Sequence, residues 1–233
     1  EDGDAILISG SGGGHSVPET LLAAVGRRFQ AEGKPRGLTS ISVVGVGDRA
    51  ALGASHLAHE GLLKRAITSA LVDSPGLVRL AAENKIEAYT FPQGVLSQLM
   101  RDMAAGRPGL LTKTGLGSFV DPRQQGARQS PCTPPDFVEV VNLAGEEWLL
   151  FKPVPVSIAF LRGTTADEDG NITMEQEAVF GEMLAMVQAT RRNGGIVIVQ
   201  VKRMARSGTL PAKHVKIPGI LVDFVVVDVH QRQ

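Results

Sequence analysis

The sequence predicts an α/β protein with a doubly wound, mostly parallel sheet and helices on both faces. Aromatic residues make up only 4% of the chain, whereas 43% of its residues are hydrophobic. Strands buried on both faces have this aliphatic composition. Strand-like and helix-like segments alternate, which is typical of parallel βαβ units. The 27 glycines and 13 prolines are enough to supply the many turns that such alternation requires.

The first predicted unit is a strand, a glycine-rich loop and a helix. The aliphatic run at 5–8 predicts the strand, and the glycine-rich stretch at 9–14 ends it. Ser16-Val17-Pro18-Glu19 indicates a capping box with proline in the first turn of the helix. Apolar residues then recur at the spacing of one helix face, and Gly33 is placed to end the helix.

The rest of the chain continues the alternation, except in one segment. Further predicted elements are strands at 41–44, 86–89, 154–161, 196–201 and 222–227, helices at 61–70 and 95–104, a turn at 167–171, and a helix that follows a second capping box at 173–176 and runs to Arg192. The segment 106–135, from Gly106 to Pro135, is dense in Gly, Pro, Ser, Thr and Gln. We interpret it as a loop-rich excursion that is either functional or mobile. No repeat or linker divides the chain, so a single domain over 1–233 is the simplest organisation.

Charge and cysteine content limit the partners. The 24 basic and 24 acidic residues cancel, which argues against binding to nucleic acid or to an anionic membrane surface. No run of about 18 apolar residues is present to cross a bilayer. The single cysteine, Cys132, cannot form an intrachain disulfide, so we expect a cytoplasmic protein. The chain starts at Glu1 without an initiator Met or a signal peptide, and we expect it to be a piece of something longer.

The loop that contains Gly12, Gly13 and Gly14 is a candidate binding site. In open α/β sheets, ligands bind beyond the carboxyl ends of strands, where helix N-termini attract anions. The dinucleotide fingerprint fails here because its third glycine position is His15, and no P-loop lysine follows. The alternative is a tight turn whose backbone simply requires positive φ.

Several motifs together resemble one family. Asp2-Gly3-Asp4 precedes the first aliphatic run, Val17-Pro18-Glu19 follows the glycine loop, and Phe91-Pro92-Gln93-Gly94 contains a Pro-Gln-Gly motif. Further matching segments lie at 106–109, 114–122, 162–167, 170–173 and 216–219. This pattern resembles the α-type, N-terminal half of the family I coenzyme A transferases. In detail it is most similar to the single-chain bacterial transferases of the acetate/propionate type, and the likeness covers nearly the whole chain.

The resemblance implies transfer of coenzyme A between short-chain acyl-CoA thioesters and free carboxylic acids, without a metal or redox cofactor. In this family a glutamate carboxylate attacks the acyl-CoA, and CoA is then held as a glutamyl thioester before it passes to the incoming acid. That glutamate belongs to the β-type half, which we do not find in this sequence. Glu60 and Glu83 lack the family context, and we interpret them as exposed carboxylates. The implied partners are therefore the β-type half, in the same or a second polypeptide, and coenzyme A with short-chain carboxylates, in a homo- or hetero-oligomer.

The resemblance also implies roles for individual residues. Gln93 would donate from its amide to a substrate carboxylate, to the nucleophilic carboxylate or to a developing oxyanion; the alternative is an ordinary polar residue at a helix N-terminus. Gly94, Gly115 and Gly117 would line the pocket with bare backbone, and their alternative is ordinary turn chemistry.

A second class of function stays open at this stage. Related α/β folds bind sugar phosphates as effector domains or act as sugar-phosphate isomerases, and the glycine loop would serve a phosphate equally well. The Gln93 motif and the 115–122 motif have no reason to coexist in such a sensor. His56 and His59 do not complete a metal site, because no further His or Cys cluster lies near them in the sequence.

Overall fold

The computed structural model describes residues 1–232, and its largest element is a parallel sheet. The helices and strands, in chain order, are β1 (Ala5–Ile8), α1 (Glu19–Glu32), β2 (Leu38–Ser42), β3 (Leu63–Thr68), α2 (Pro75–Ala82), β4 (Glu87–Thr90), α3 (Gln93–Ala105), β5 (Leu110–Thr112), β6 (Val138–Leu143), β7 (Glu146–Phe151), β8 (Ile158–Arg162), β9 (Thr165–Asp167), β10 (Ile172–Thr173), α4 (Met183–Arg192), β11 (Ile196–Val201), β12 (Arg203–Ala205), β13 (Val215–Ile217) and β14 (Phe224–Val227).

The large sheet has the strand order β14-β11-β8-β1-β2-β3-β4, and every neighbouring pair in it is parallel. From β1 the chain adds β2, β3 and β4 on one side, and later β8, β11 and β14 on the other. The direction of winding therefore reverses between β1 and β8, where the carboxyl ends of neighbouring strands diverge into a crevice.

Helices cover both faces of this sheet, as the sequence predicts. On one face, Ile6, Ile8 and Phe160 pack with the apolar residues of α1 and α2. On the other face, Leu7 and Leu161 belong to the core that also contains the buried sides of α3 and α4. Side chains alternate between the faces of a strand, so each strand supplies both cores. The α/β, doubly wound fold class is confirmed.

Two smaller sheets extend the fold beyond the predicted elements. β5, β7 and β6 form an antiparallel sheet, and β9, β10, β12 and β13 form a four-stranded one. The β6–β7 hairpin turns at Ala144 and Gly145, which both have positive φ (54° and 80°). A two-residue turn of this conformation matches the twist of antiparallel strands.

The prediction of a helix at 61–70 is wrong, because this segment is β3. Leu62, Leu63, Ala66 and Ile67 are all buried, since the strand lies inside the sheet between β2 and β4 with both faces covered. A short apolar run of this kind fits a helical period and a buried strand equally well. The helix on this part of the chain is instead α2, which begins after Ser74 with Pro75 in its first turn.

Both predicted capping boxes are also wrong. Ser16 donates its hydroxyl to the carbonyl of Val179, 3.1 Å away, and Glu19 accepts from the N–H of Gly53 at 2.8 Å. Thr173 lies in β10, and α4 begins only at Met183. Long-range partners thus replace the local bonds that define a capping box.

The other predicted elements are present with small shifts at their ends. The strands at 5–8 and 196–201 match β1 and β11, and Gly33 ends α1 in the left-handed conformation with φ 68°. The segment 106–135 consists of turns around the short strand β5. Its residues 127–129 pair with the free edge of β4, through bonds from Thr90 N–H to the Ala127 carbonyl and from Gln129 N–H to the Ala88 carbonyl. Single-domain organisation and mobility of the segment stay predictions. No helix among the described residues is long and apolar enough to span a membrane.

Candidate functional site

The glycine loop leaves the carboxyl end of β1 at the centre of the sheet. Ser9 N–H donates to the carbonyl of Phe160 at 3.0 Å, and Ser11 N–H donates to the carbonyl of His15 at 2.9 Å, which closes the loop on itself. Gly13 and Gly14 have φ of 77° and 81°, a region that side chains rarely adopt. The backbone conformation therefore requires glycine at these two positions.

Space around the loop is open. A Cβ atom placed on Gly14 would meet no heavy atom within 4 Å, and one on Gly12 would lie 3.6 Å from Oδ2 of Asp73. Packing thus does not exclude a side chain at either position. The turn interpretation accounts for Gly13 and Gly14 by their φ, whereas neither φ nor packing against residues 1–232 demands glycine at Gly12. The open space at Gly12 would therefore allow a ligand to approach the backbone of this residue.

Gln93 and Gly94 form the first turn of α3, at the carboxyl end of β4. Both residues are exposed, and the Gln93 amide makes no hydrogen bond to any other group within residues 1–232. No side chain caps α3, whose first turn begins after Pro92. A Cβ atom on Gly94 would meet nothing within 4 Å. The end of β4 therefore presents a free amide side chain beside uncovered helix N–H groups, an arrangement suited to an oxyanion or a carboxylate.

Glu182 lies between this turn and the glycine loop. It precedes α4, accepts a hydrogen bond from the Ser97 hydroxyl of α3, and lines a small cavity together with Ser9 and Gly10. Ser97 is four residues beyond Gln93, so the two share one face of α3. The sheet edge therefore brings Gln93 and the glycine loop to the same side of the molecule, joined through Glu182.

Gly115 and Gly117 lie in a separate turn whose shape depends on Asp121. Both glycines have positive φ (100° and 72°). Gly117 N–H donates to Oδ2 of Asp121 at 2.9 Å, and the buried Asp121 carboxylate also accepts from the Arg123 guanidinium at 2.8 Å. The hydrogen bonds from Arg123 and Gly117 hold the pKa of Asp121 well below its usual range, although burial opposes this shift.

This second turn is fastened near Gln93 by the backbone. Phe119 accepts from Ala127 N–H at 3.0 Å, and Ala127 in turn accepts from Thr90 N–H at 2.9 Å. Thr90 is the last residue of β4, three positions before Gln93. The structure therefore attaches the turn with Gly115 and Gly117 to β4, the strand that ends just before Gln93.

Of the glutamates and histidines that the sequence singles out, Glu60, Glu83 and His56 pair with charged side chains, whereas His59 contacts the amide of Gln30 at 3.2 Å. Glu60 pairs with Lys85 at 3.0 Å, and Glu83 pairs with Arg79 at 3.4 Å along α2 and its end. His56 contacts the carboxylate of Glu19. No group of three or more His, Cys, Asp or Glu side chains within residues 1–232 is placed to hold a metal ion.

Four charged residues near these loops received no individual role from the sequence, namely Asp73, Asp121, Arg162 and Glu182, although Asp121 and Arg162 lie within the matching segments 114–122 and 162–167. Asp73 is buried beside Gly45 and Gly47, where a Cβ atom would lie 2.3 Å from its Oδ2 and 2.2 Å from its carbonyl oxygen, respectively. Asp121 carries a local signal, since its bonds to residues 117 and 123 form a short polar turn. The other three gain their partners from distant segments, which periodicity does not reveal.

Comparison with known proteins assigns this arrangement to a family. Residues 1–228 match the family model described as coenzyme A transferase. The chain is 44% identical over 232 residues to the acetate CoA-transferase YdiF of Escherichia coli (strain K12), which covers 100% of this chain and 44% of that protein. It is 42% identical over 226 residues to the caffeate CoA-transferase of Acetobacterium woodii, covering 97% of this chain and 43% of that protein.

A solved structure shows the same fold. The crystal structure of the acyl-CoA transferase YdiF from E. coli O157:H7, a thioester complex with CoA, superposes with a TM-score of 0.97 at 44% identity. The superposition covers 100% of this chain and 45% of that one. The chain thus spans less than half the length of these three proteins.

These similarities define the class of the chain, which is the α-type half of an α/β transferase. The chain belongs to the coenzyme A transferase family, family I, as the resemblance of its motifs predicts. This membership favours the transferase interpretation over a sugar-phosphate sensor or isomerase.

Proposed function

We propose that this chain is part of an enzyme that transfers coenzyme A between short-chain acyl-CoA thioesters and free carboxylic acids. The observation that carries the proposal is the open turn at Gln93 and Gly94, at the carboxyl edge of the sheet. It is found in a chain that belongs to the coenzyme A transferase family. Its relatives include an acetate CoA-transferase and a caffeate CoA-transferase. The preference for short acyl groups rests on the first of these and on the motif resemblance.

The proposed reaction proceeds through covalent catalysis by a glutamate of the β-type half. Its carboxylate oxygen attacks the thioester carbonyl carbon, the C–S bond breaks, and CoA leaves as thiolate. The thiolate then attacks the glutamyl carbonyl of the mixed anhydride, which releases the first acid and leaves a glutamyl-CoA thioester. The acceptor carboxylate reverses these steps. No atom changes its oxidation state in these steps, so they need no redox cofactor, and the proposal includes no metal.

The residues of this chain would bind and polarise rather than attack. The Gln93 amide would donate to the oxygen that gains charge as the thioester carbonyl is attacked. Gly94, together with Gly115 and Gly117, leaves bare backbone where a side chain would occupy the path of the acyl group. The loop of Gly12, Gly13 and Gly14 would contact the substrate from the centre of the sheet.

The remainder of the active enzyme would be the β-type half, supplied in the same or a second polypeptide. The matched relatives are more than twice as long as the aligned region. More distant relatives carry names such as acetate CoA-transferase subunit alpha, which supports assembly of two kinds of half. An oligomer and a cytoplasmic setting belong to the same proposal.

Transfer of CoA from propionyl-CoA to acetate would test the proposal directly. The protein containing both halves would be incubated with propionyl-CoA and isotopically labelled acetate, and labelled acetyl-CoA would be followed by mass spectrometry. We expect acetyl-CoA to form only when both substrates are present. When acetate is omitted, a glutamyl-CoA thioester should accumulate on the enzyme, and hydroxylamine should cleave it. Loss of propionyl-CoA by hydrolysis, at a rate independent of acetate, would overturn the proposal.

A further inference from the structure

Arg162 and Glu177 form a buried ion pair at the point where the sheet reverses its winding. Arg162 ends β8, the strand beside β1. The side chains are only 5% and 2% exposed, and Nε of Arg162 lies 2.9 Å from Oε2 of Glu177. Neither atom has a hydrogen-bonding partner within residues 1–232, so the two are held together as an ion pair.

Arg162 holds both ends of the glycine loop. Its backbone N–H donates to Oγ of Ser9, at the start of the loop, over 3.2 Å. Its Nη1 donates to the carbonyl of Val17, at the end of the loop, over 3.4 Å. The Ser9 hydroxyl in turn donates to the carbonyl of Ser16 at 3.2 Å. One residue of β8 therefore fixes the distance between the two points where the loop begins and ends.

Glu177 connects Arg162 and the glycine loop to the end of β11. Its Oε1 accepts from Nε2 of Gln231 at 3.0 Å, and Oε1 of Gln231 accepts from Nε2 of Gln200 at 2.9 Å. Oε1 of Gln200 accepts from the N–H of Thr20, in the first turn of α1, at 2.9 Å. The network thus runs from the loop through two buried amides and returns to the helix that the loop precedes.

Stability alone does not explain such a pair. Removing two charges from water costs free energy that their attraction often fails to recover, and well-packed apolar replacements are frequently as stable. Apolar side chains, however, supply no directed donor to the carbonyl of Val17. What this pair adds is a fixed orientation of the guanidinium.

We propose that Arg162 is a positioning residue, held in place by Glu177, which sets the conformation of the glycine loop from Ser9 to Val17. The proposal goes beyond the proposed function and rests on it only in assigning that loop to the substrate. The loop conformation can be measured without any activity, so the two proposals can fail separately.

Amide hydrogen exchange in the protein as assembled tests the proposal. The variant Arg162→Met/Glu177→Met removes the pair as a unit. The matched control is Arg65→Met/Glu87→Met. It removes a largely buried ion pair between Arg65 of β3 and Glu87, the first residue of β4; these strands lie on the other side of β1 from β8. We expect the first variant to keep a thermal midpoint close to that of the parent while the Ser11 amide exchanges at least about tenfold faster. The control should leave exchange in the loop unchanged.

A second variant keeps the test decisive if the double variant does not fold. Arg162→Lys retains a cation for Glu177 but has no second nitrogen for Val17, so the same increase in loop exchange is expected. In the active enzyme, KM for acyl-CoA should rise more than kcat falls. Parental loop exchange in a folded Arg162→Lys or double variant would overturn the positioning role. An absence of CoA transfer in the parent itself would instead count against the proposed function.

Discussion

The hydroxyl of Ser97 donates a hydrogen bond to the carboxylate of Glu182. This bond links the N-terminal part of α3 to the residue that precedes α4. Gln93 lies one helical turn before Ser97, and Glu182 borders the cavity beside Ser9 and Gly10. The bond therefore links the helix that carries the free amide to a residue that borders the glycine loop. It makes the position of Gln93 depend on the packing of two helices rather than on a mobile loop.

Replacement of Gln93 by Ala should slow CoA transfer by roughly one hundredfold in kcat, because a preorganised donor to the oxyanion is lost. Steady-state kinetics with propionyl-CoA and acetate would measure the effect. Gln98→Ala provides the control, since Gln98 is an exposed amide on the same helix. Equal rates for the two variants would show that Gln93 is an ordinary residue of a helix N-terminus.

Two helical glycines should respond in opposite ways to Ala. Gly94 has open space around it, so Gly94→Ala should raise the free energy of unfolding by about 0.5–1 kcal/mol. The new methyl group should nevertheless reduce kcat/KM if this backbone faces the acyl group. In Gly26→Ala the Cβ atom would lie 2.4 Å from the carbonyl oxygen of His56, and we expect a loss of about 1–3 kcal/mol. Denaturant unfolding and transfer assays on both proteins would separate stability from activity. Unchanged kcat/KM in Gly94→Ala would remove Gly94 from the site.

Asp121→Ala should destabilise the turn that carries Gly115 and Gly117. The N–H of Gly117 and the guanidinium of Arg123 would lose the carboxylate that accepts their hydrogen bonds, and hydrogen bonds to a charged group contribute about 1.5–3 kcal/mol. Urea unfolding would give the cost, and KM for acyl-CoA should increase in parallel. Glu146→Ala is the control in the same part of the fold, because the exposed pair with Lys113 contributes at most about 1 kcal/mol. A smaller effect for Asp121→Ala than for Glu146→Ala would contradict this prediction.

The stability of the four-stranded sheet should depend on pH through Glu175. Burial favours the neutral form of its carboxyl, but hydrogen bonds from Thr165, Thr173 and Arg203 outweigh burial and lower its pKa from 4.5 to about 2. Between these values the unfolded chain binds more protons than the folded one, so stability rises with pH across this window. The contribution is complete above pH 4.5 and is lost as the pH falls towards 2.

Comparison of the parent with Glu175→Gln by thermal unfolding would test this dependence. The variant should be less stable at pH 7, and the difference should narrow as the pH falls from 4.5 towards 2. A difference that stays constant from pH 7 to pH 3 would show that the carboxylate charge does not contribute.

The fold class could be predicted because local patterns and tertiary burial agree at most elements. The run at 196–201 is a buried strand by composition and in the structure, and Gly33 ends α1 as its position implies. β3 was predicted wrongly because a strand covered on both faces loses the alternation that identifies it. Signals were available for two missed elements, Ser74-Pro75 before α2 and the Ala144-Gly145 turn of the β6–β7 hairpin.

The residues of the candidate site also differ in how far the sequence predicts their position. Gln93 and Gly94 carry a compact motif between a strand and a helix, so their place at the sheet edge follows from local sequence. Arg162 and Glu177 could not be found in this manner. Their partners come from the glycine loop, from the end of β11 and from Gln231, and only the strand order brings these segments together.

The central place of β1 determines the order in which the site can form. Ile6 pairs with Ser40 on one side and with Ile158 on the other. During synthesis β2, β3 and β4 become available before β8, so one edge of β1 stays unpaired until residues 158–162 have been made. Such non-local pairing slows folding and leaves an aggregation-prone edge. The glycine loop receives its contacts from Arg162 only when that edge is closed, so the loop can reach its final conformation only after β8 has been made.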